Sequence, residues 1–267
     1  MPCGKTLSGG AAPRKAPAPV PADLVYVYDG SFYGFLCCVY ESVYGREIPL
    51  EITAARDQET LLPLREIVTD EARARRVLAS IPKKISPRAL ELTQTVFLSC
   101  LEGRELKLLR FLLRGYREGG RLLGSLGDAD VAPLLAAERG LLGEAHLLKG
   151  FVRFSDTGGA LFGVISPKNF VLPYLARHFA VRCGGENWVL FDKTHRAALV
   201  CERRQIRLIS VAHMDIPAVS EQEARYQGLW RRFYDAVAVQ ARENPRCRMT
   251  QMPKRYWENM LEVRDLL

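Results

Sequence analysis

The pattern of hydrophobic and polar positions divides this chain into alternating stretches and stretches of helical spacing. Residues 24–28 alternate and are rich in β-branched and aromatic side chains, which predicts a strand. The apolar stretch at 31–44 follows an Asp-Gly turn and predicts a buried helix. Further strands are predicted at 48–53 and 64–68. The chain therefore opens as strand, turn and helix.

The middle of the chain has the spacing of helices. Apolar periodicity and capping signals predict them at 70–80, 87–101, 104–118 and 129–148. Pro82 is expected to end the first, because proline has no N–H to donate. The helix at 104–118 carries an apolar stripe and, beside it, a cationic stripe. The cations are Lys107, Arg110, Arg114, Arg117 and Arg121.

Short β-like runs separated by turn residues occupy much of the second half of the chain. They lie at 151–154, 161–165, 188–191, 197–201 and 206–209. A helix at 170–182 is expected to cross over the sheet between the second run and the third. A helix at 220–241 and a short one after Pro253 close the chain. These elements predict an α+β fold with a mostly antiparallel sheet, surrounding helices and a helical middle segment.

Composition adds a view of domain organisation. With 48% hydrophobic and 25% charged residues, the 267-residue chain is typical of a globular protein. Residues 1–22 are rich in Pro and Ala, cannot bury enough apolar area to offset ordering entropy, and predict a disordered tail. Residues 23–267 are interpreted as one α+β domain, with a helical subdomain at 69–149 as the alternative.

Several classes of protein are not expected from this sequence. No apolar stretch approaches the roughly 20 residues of a membrane span, and no secretory signal is present, which predicts a cytoplasmic protein. The seven cysteines are scattered without a CxxC pair, which indicates reduced thiols. The four histidines are isolated from one another and from cysteine pairs. Neither a metal site nor a cofactor is therefore predicted.

Positive charge is concentrated near the C-terminus. The chain carries +8, and residues 225–257 alone carry +6. Cations neutralise phosphates and aromatic faces stack on unpaired bases, so this segment predicts a nucleic-acid surface. The proposed contacts are Arg231, Arg232, Arg242, Arg246, Arg248, Lys254, Arg255 and Tyr256, with Arg110 and Arg114 of the helical stripe. The alternative is a solvated helix whose aromatic residues, Trp230 and Trp257 among them, belong to the core.

Two residues are candidates for acid–base chemistry. Asp29 lies at a strand end before a helix, and His178 lies on a helix beside Arg177 and Arg182. A turn and capping role for Asp29 and a packing role for His178 are the structural alternatives. No catalytic set can be assembled from the sequence.

Several motifs resemble one known family. The run Val-Tyr-Asp-Gly-Ser-Phe-Tyr-Gly-Phe-Leu at 27–36 is similar to the opening of the SAM-linked DNA metabolism proteins. The likeness is strongest in Asn-Pro-Arg at 244–246 and Met-Pro-Lys-Arg-Tyr-Trp-Glu at 252–258. Motif order and spacing hold over residues 24–262.

This resemblance implies a domain without an established activity, encoded beside a radical SAM protein of DNA repair or modification, with relatives fused to uracil-DNA glycosylases. This chain has no CxxxCxxC motif, so radical chemistry would belong to the partner. The expected function is a nucleic-acid-binding accessory protein of a DNA repair or modification system. It is expected to bind DNA and to act with the radical SAM protein, a uracil-DNA glycosylase, or both. The alternatives are a base-processing enzyme using Asp29 and His178, and a protein-interaction module for the radical SAM partner.

Overall fold

The computed structural model describes residues 19–54, 60–125, 127–212, 214, 219–238 and 244–263. Two sheets with helices around them confirm the predicted α+β class. The chain divides into two compact units. Unit 1 contains Met1–Pro87 and Glu105–Gly120, and unit 2 contains Arg88–Arg104 and Arg121–Leu267.

The helices follow the sequence pattern closely, with differences at their ends. In chain order they are α1 (Phe32–Gly45), α2 (Glu71–Lys84), α3 (Pro87–Phe97), α4 (Arg104–Glu118), α5 (Ala132–Phe151), α6 (Leu172–Arg182), α7 (Glu221–Val237) and α8 (Pro245–Gln251). Short 3-10 helices cover Gly119–Gly124 and Lys254–Asn259. Within the described ranges, we find no helix with the length and apolarity needed to cross a membrane.

Two helices correct the sequence predictions. Pro82 does not end α2, which continues to Lys84. A proline so close to the helix end removes only one backbone donor, and the Ile85 N–H still reaches the Ile81 carbonyl at 2.9 Å. The sequence did not predict α8, although Asn244 caps it by accepting from the Cys247 N–H and Pro245 occupies its first turn.

Unit 1 is built on a small parallel sheet. Its strands are β1 (Val20–Val27), β2 (Glu47–Thr53) and β3 (Leu64–Glu66), in the order β2-β1-β3. All three strands pair in parallel, and α1 crosses over between β1 and β2. β1 begins at Val20, within the segment 1–22, and pairs with β2 from there on. Residues 1–18 of the predicted tail lie outside the described residues.

Unit 2 contains the predicted mostly antiparallel sheet. Its strands are β4 (Phe154–Asp156), β5 (Leu161–Ile165), β6 (Trp188–Asp192), β7 (Ala197–Glu202) and β8 (Gln205–Ser210). They lie in sequence order, and only β5 and β6 pair in parallel, because α6 connects them. Buried side chains of α5, α6, the sheet and the C-terminal 3-10 helix form one core.

Candidate nucleic-acid interface

Helix α7 presents aromatic side chains to solvent. The Ser220 hydroxyl caps it by accepting from the Glu223 N–H at 3.1 Å, and none of its residues is buried. Large apolar side chains recur at helical spacing and therefore share one face. They are Tyr226, Leu229, Trp230, Phe233 and Val237, here called the α7 stripe. Arg232 on the same helix is exposed and Arg231 is half-buried.

Trp230 is exposed yet held in place from two sides. Its indole N–H donates to Glu262 Oε2 at 3.3 Å, and the Arg153 guanidinium lies 5.9 Å from its ring centroid. Arg153 also forms an ion pair with Glu262. Trp230 is 40% exposed, so the interpretation of Trp230 as a core residue is wrong. Trp257 is 5% exposed, which confirms that Trp257 belongs to the core.

An open groove runs beside the Trp230 ring. One part, of about 890 Å³, is lined by Arg153, Arg182, Tyr226 and Trp230 among others. A second part, of about 610 Å³, is lined mainly by basic and aromatic side chains of α6. Arg182 lines both parts, and we call the two parts together the α6–α7 groove. Its cations are Lys149, Arg153, Arg177 and Arg182.

Acidic side chains also reach this groove, but one is already engaged. Glu223 accepts from Gln227 Nε2 at 3.0 Å, and the same amide reaches Ser155 Oγ at 3.1 Å, which fastens α7 to β4. Glu186 also lines the groove. The rest of the lining combines cations and aromatic rings with apolar side chains such as Leu161 and Leu261. Cations beside aromatic rings suit a phosphate backbone with unpaired bases.

His178 lies in the second part of the groove. Its ring meets Phe179 edge-on, with centroids 4.9 Å apart. Its Nε2 is buried and has no hydrogen-bond partner among the described residues. The structure therefore puts His178 beside the cations, while its acid–base role stays a prediction.

Asp29 is occupied by the turn that it helps to form. Its Oδ1 accepts from the Ser31 N–H at 2.9 Å, and its Oδ2 accepts from the Thr69 hydroxyl at 2.8 Å. Burial raises the pKa of Asp29, but the hydrogen bonds from Ser31 and Thr69 outweigh burial and hold this pKa below its ordinary value. Asp29 belongs to unit 1 and His178 to unit 2, and the catalytic role of each stays a prediction.

The predicted C-terminal contacts differ in accessibility. Arg246, Lys254 and Arg255 are exposed, Arg248 is half-buried, and Arg242 lies outside the described residues. The Lys254 ammonium lies 5.6 Å from the Trp257 ring centroid, and the Arg255 guanidinium lies 4.5 Å from that of Tyr256. The Lys254 and Arg255 side chains therefore pack against rings that belong to the core.

Tyr256 is 2% exposed, so its ring packs against the Arg255 guanidinium and does not face solvent. Its hydroxyl accepts from Arg255 Nη2 at 2.7 Å and donates to Glu144 Oε1 at 2.9 Å. Burial and the neighbouring Glu144 carboxylate raise the pKa of Tyr256 to about 12. In this arrangement Tyr256 positions Arg255, and its contact with nucleic acid stays a prediction.

Glu144 on α5 is a buried carboxylate that the sequence predictions missed. Besides Tyr256, it accepts from the N–H groups of Lys168 and Asn169 at 3.0 and 2.8 Å, and from the Asn169 side-chain amide at 2.6 Å. Burial raises the pKa of Glu144, but these hydrogen bonds outweigh burial and lower it. A single acidic residue among the leucines of 141–148 is the only sign of this buried carboxylate in the sequence. The residues that bond to Glu144 are distant in sequence, so they could not be predicted from it.

Asp192 and His195 form a second polar pair in unit 2. Asp192 is fully buried, and its Oδ2 lies 2.7 Å from His195 Nδ1. Its Oδ1 accepts from the N–H groups of Thr194 and His195 in the turn between β6 and β7. The His195 ring also meets Phe170 edge-on at 5.3 Å. A carboxylate-oriented imidazole of this kind can exchange a proton at its other ring nitrogen.

The cationic stripe of α4 lies mostly in unit 1. Arg110 is exposed, and Arg114 pairs with Glu118 one turn later at 3.3 Å. Nucleic-acid contact by Arg110 and Arg114 stays a prediction. As for metals, the described part of the chain contains no group of three or more His, Cys, Asp or Glu side chains that could hold an ion.

The chain was also compared with known proteins. The model of a family described as a domain of unknown function, DUF4130, matches residues 102–262, more than half of the chain. Searches of curated proteins and of solved structures each returned no match.

Proposed function

The chain belongs to the DUF4130 family, a domain of unknown function, and from its surfaces we propose that it binds nucleic acid. In this proposal it is a cytoplasmic accessory subunit of a DNA repair or modification system. The radical SAM protein and the uracil-DNA glycosylase suggested by the sequence resemblance are its proposed partners.

The observation that carries this proposal is the Trp230 ring beside the cations of the α6–α7 groove. Trp230 is fixed at both its N–H and its ring face, so stacking a base on it costs little side-chain ordering. Arg177 and Arg182 supply positive charge along the same groove. Phosphate neutralisation releases counterions, and stacking holds an unpaired base, so the groove suits single-stranded nucleic acid.

A salt series tests the proposal. We expect single-stranded oligonucleotides to bind more tightly than duplexes of the same length. Affinity for a single strand should fall about fiftyfold between roughly 50 and 200 mM salt if about four phosphates are contacted. Fluorescence anisotropy with labelled oligonucleotides measures both quantities. Binding that is absent at low salt, or independent of salt, contradicts the proposal.

The α7 stripe favours a second candidate function, a protein-interaction module. An amphipathic helix with an exposed apolar face is a common element of protein recognition. In this case the stripe contacts the radical SAM partner, and nucleic acid is not needed for the complex.

Co-purification separates the second candidate from the first. If the stripe is the interface, the complex survives nuclease treatment, and Leu229→Glu with Phe233→Glu abolishes it, because two charges enter a buried apolar contact. Ala224→Glu, which adds a charge on the opposite face of α7, serves as the control. Loss of the complex on nuclease treatment contradicts this candidate.

A further inference from the structure

Unit 1 contains a cavity of about 330 Å³ bounded by α1, α2 and α4. We call it the tyrosine pocket, after Tyr40, Tyr44 and Tyr116 in its wall. Arg46, Arg76, Lys84 and Arg117 also line it, and no acidic side chain does so among the described residues. A volume of this size is in the range of small-molecule sites.

The aromatic rings of this pocket are already arranged in pairs with each other and with cations. Tyr40 and Tyr44 are one turn apart on α1 and stack with centroids 4.2 Å apart. The Arg76 guanidinium lies 5.7 Å from the Tyr44 ring centroid, and the Lys84 ammonium lies 5.9 Å from that of Tyr116. The hydroxyls of Tyr116 and Ser80 are hydrogen-bonded at 2.7 Å. Planar faces and positive charges therefore meet in one cavity.

Three of the four cations of the pocket are not balanced by an acidic side chain within the described part of the chain. Arg46, Arg76 and Lys84 form no ion pair with any residue that the structure describes. By contrast, Arg75, on the same helix, pairs with Glu71 at 2.6 Å and does not line the pocket. Unbalanced cations at a concave surface concentrate their field on an anion.

From these features we infer that the tyrosine pocket binds a nucleoside phosphate, with the base replacing a cation against a tyrosine ring and the phosphate held by Arg76 and Lys84. Guanidinium and ammonium groups are the side chains that bind phosphate best, and every nucleobase has a face that can stack. The ligand is either a free nucleotide or the phosphorylated end of a strand. The inference uses residues of unit 1 alone and does not rest on the proposed function.

Calorimetric titration of the full chain tests the ligand class. AMP is expected to saturate one site, with adenosine and inorganic phosphate each binding at least about tenfold more weakly, since each lacks half of the contacts. Tighter binding of a 5′-phosphorylated dinucleotide than of AMP identifies a strand end, and the reverse identifies a free nucleotide. Inorganic phosphate binding as tightly as AMP, or no saturable AMP binding, overturns the inference.

Variants locate the site. Arg76→Gln with Lys84→Gln should weaken AMP binding at least about tenfold, because charge-assisted hydrogen bonds to phosphate are lost. Arg75→Gln, the matched control on the same helix, should leave it unchanged. Tyr44→Ala should weaken binding, whereas Tyr44→Phe, which keeps the ring, should not. Equal effects of the Arg75 and Arg76/Lys84 variants overturn the assignment, as does loss of AMP binding in Trp230→Ala, which would move the site to unit 2.

Discussion

At the scale of single residues, Glu144 shows how one carboxylate joins distant segments of unit 2. It accepts hydrogen bonds from the segment after β5 through Lys168 and Asn169, and from the C-terminal 3-10 helix through Tyr256. Asn169 in turn accepts from the Cys100 N–H at 2.9 Å. A buried charge is stable only when its lone pairs are satisfied, and here four hydrogen bonds satisfy them.

Replacing Glu144 tests this network. Glu144→Gln is expected to lower the free energy of unfolding by roughly 2 kcal/mol, because an amide NH₂ then faces a backbone N–H that has no acceptor. The folded pKa of Glu144 lies below its ordinary value, so the carboxylate stabilises the fold at neutral pH, and this contribution is lost as the pH falls. Urea unfolding at several pH values measures both effects.

The control for this network is Glu258→Gln, which removes an exposed carboxylate paired with Lys193. An exposed ion pair contributes little, so this variant should unfold like the parent chain. An acid dependence of stability that is the same in Glu144→Gln and in the parent chain contradicts the proposed role of Glu144.

At the scale of elements, the start of α1 depends on a glycine. The turn at Asp29 sets this start, and a Cβ at Gly34 would lie 2.2 Å from Asp29 Oδ1 and 2.9 Å from Thr69 Oγ1. Asp29 would have to move and lose its hydrogen bonds to Ser31 and Thr69. The glycine is therefore needed because the carboxylate occupies the space beside it.

Alanine at two helical glycines tests this dependence. Gly34→Ala should destabilise the protein by roughly 1–3 kcal/mol through overpacking. Gly143→Ala in α5, where a Cβ would meet no atom within 4 Å, should stabilise it by up to about 1 kcal/mol, because alanine is the better helix former. Thermal unfolding followed by circular dichroism compares them. Equal changes in stability for Gly34→Ala and Gly143→Ala would mean that Asp29 can move away from position 34 at no cost in stability.

Local patterns predicted the elements better than they predicted exposure. The strands of unit 2 and helix α4 follow from alternation and helical spacing, which are properties of neighbouring residues. The exposure of Trp230 could not be predicted from neighbouring residues, because its partners, Arg153 and Glu262, are far away in sequence. The α6–α7 groove was not predicted for the same reason, since α5, α6 and α7 all contribute to it.

At the scale of the whole molecule, cations outside the basic segment 225–257 also gather on separate surfaces. Unit 2 presents the cations of the α6–α7 groove beside Trp230, and unit 1 presents those of the tyrosine pocket. Each surface combines positive charge with aromatic rings, while acids such as Glu144 and Glu262 are used inside unit 2. A net positive charge also speeds encounter with a polyanion. The central claim is that the α6–α7 groove holds single-stranded nucleic acid.

Oligonucleotide affinity of four variants tests that claim most directly. Arg182→Gln should weaken binding and reduce the salt slope by about one phosphate, whereas Arg139→Gln, an exposed arginine of α5 outside the groove, should do neither. Trp230→Ala should weaken binding to a single strand about tenfold, and Trp230→Phe should largely preserve it, because stacking needs only a ring. Affinities that fall equally for Arg182→Gln and Arg139→Gln, and do not change in Trp230→Ala, would contradict the account.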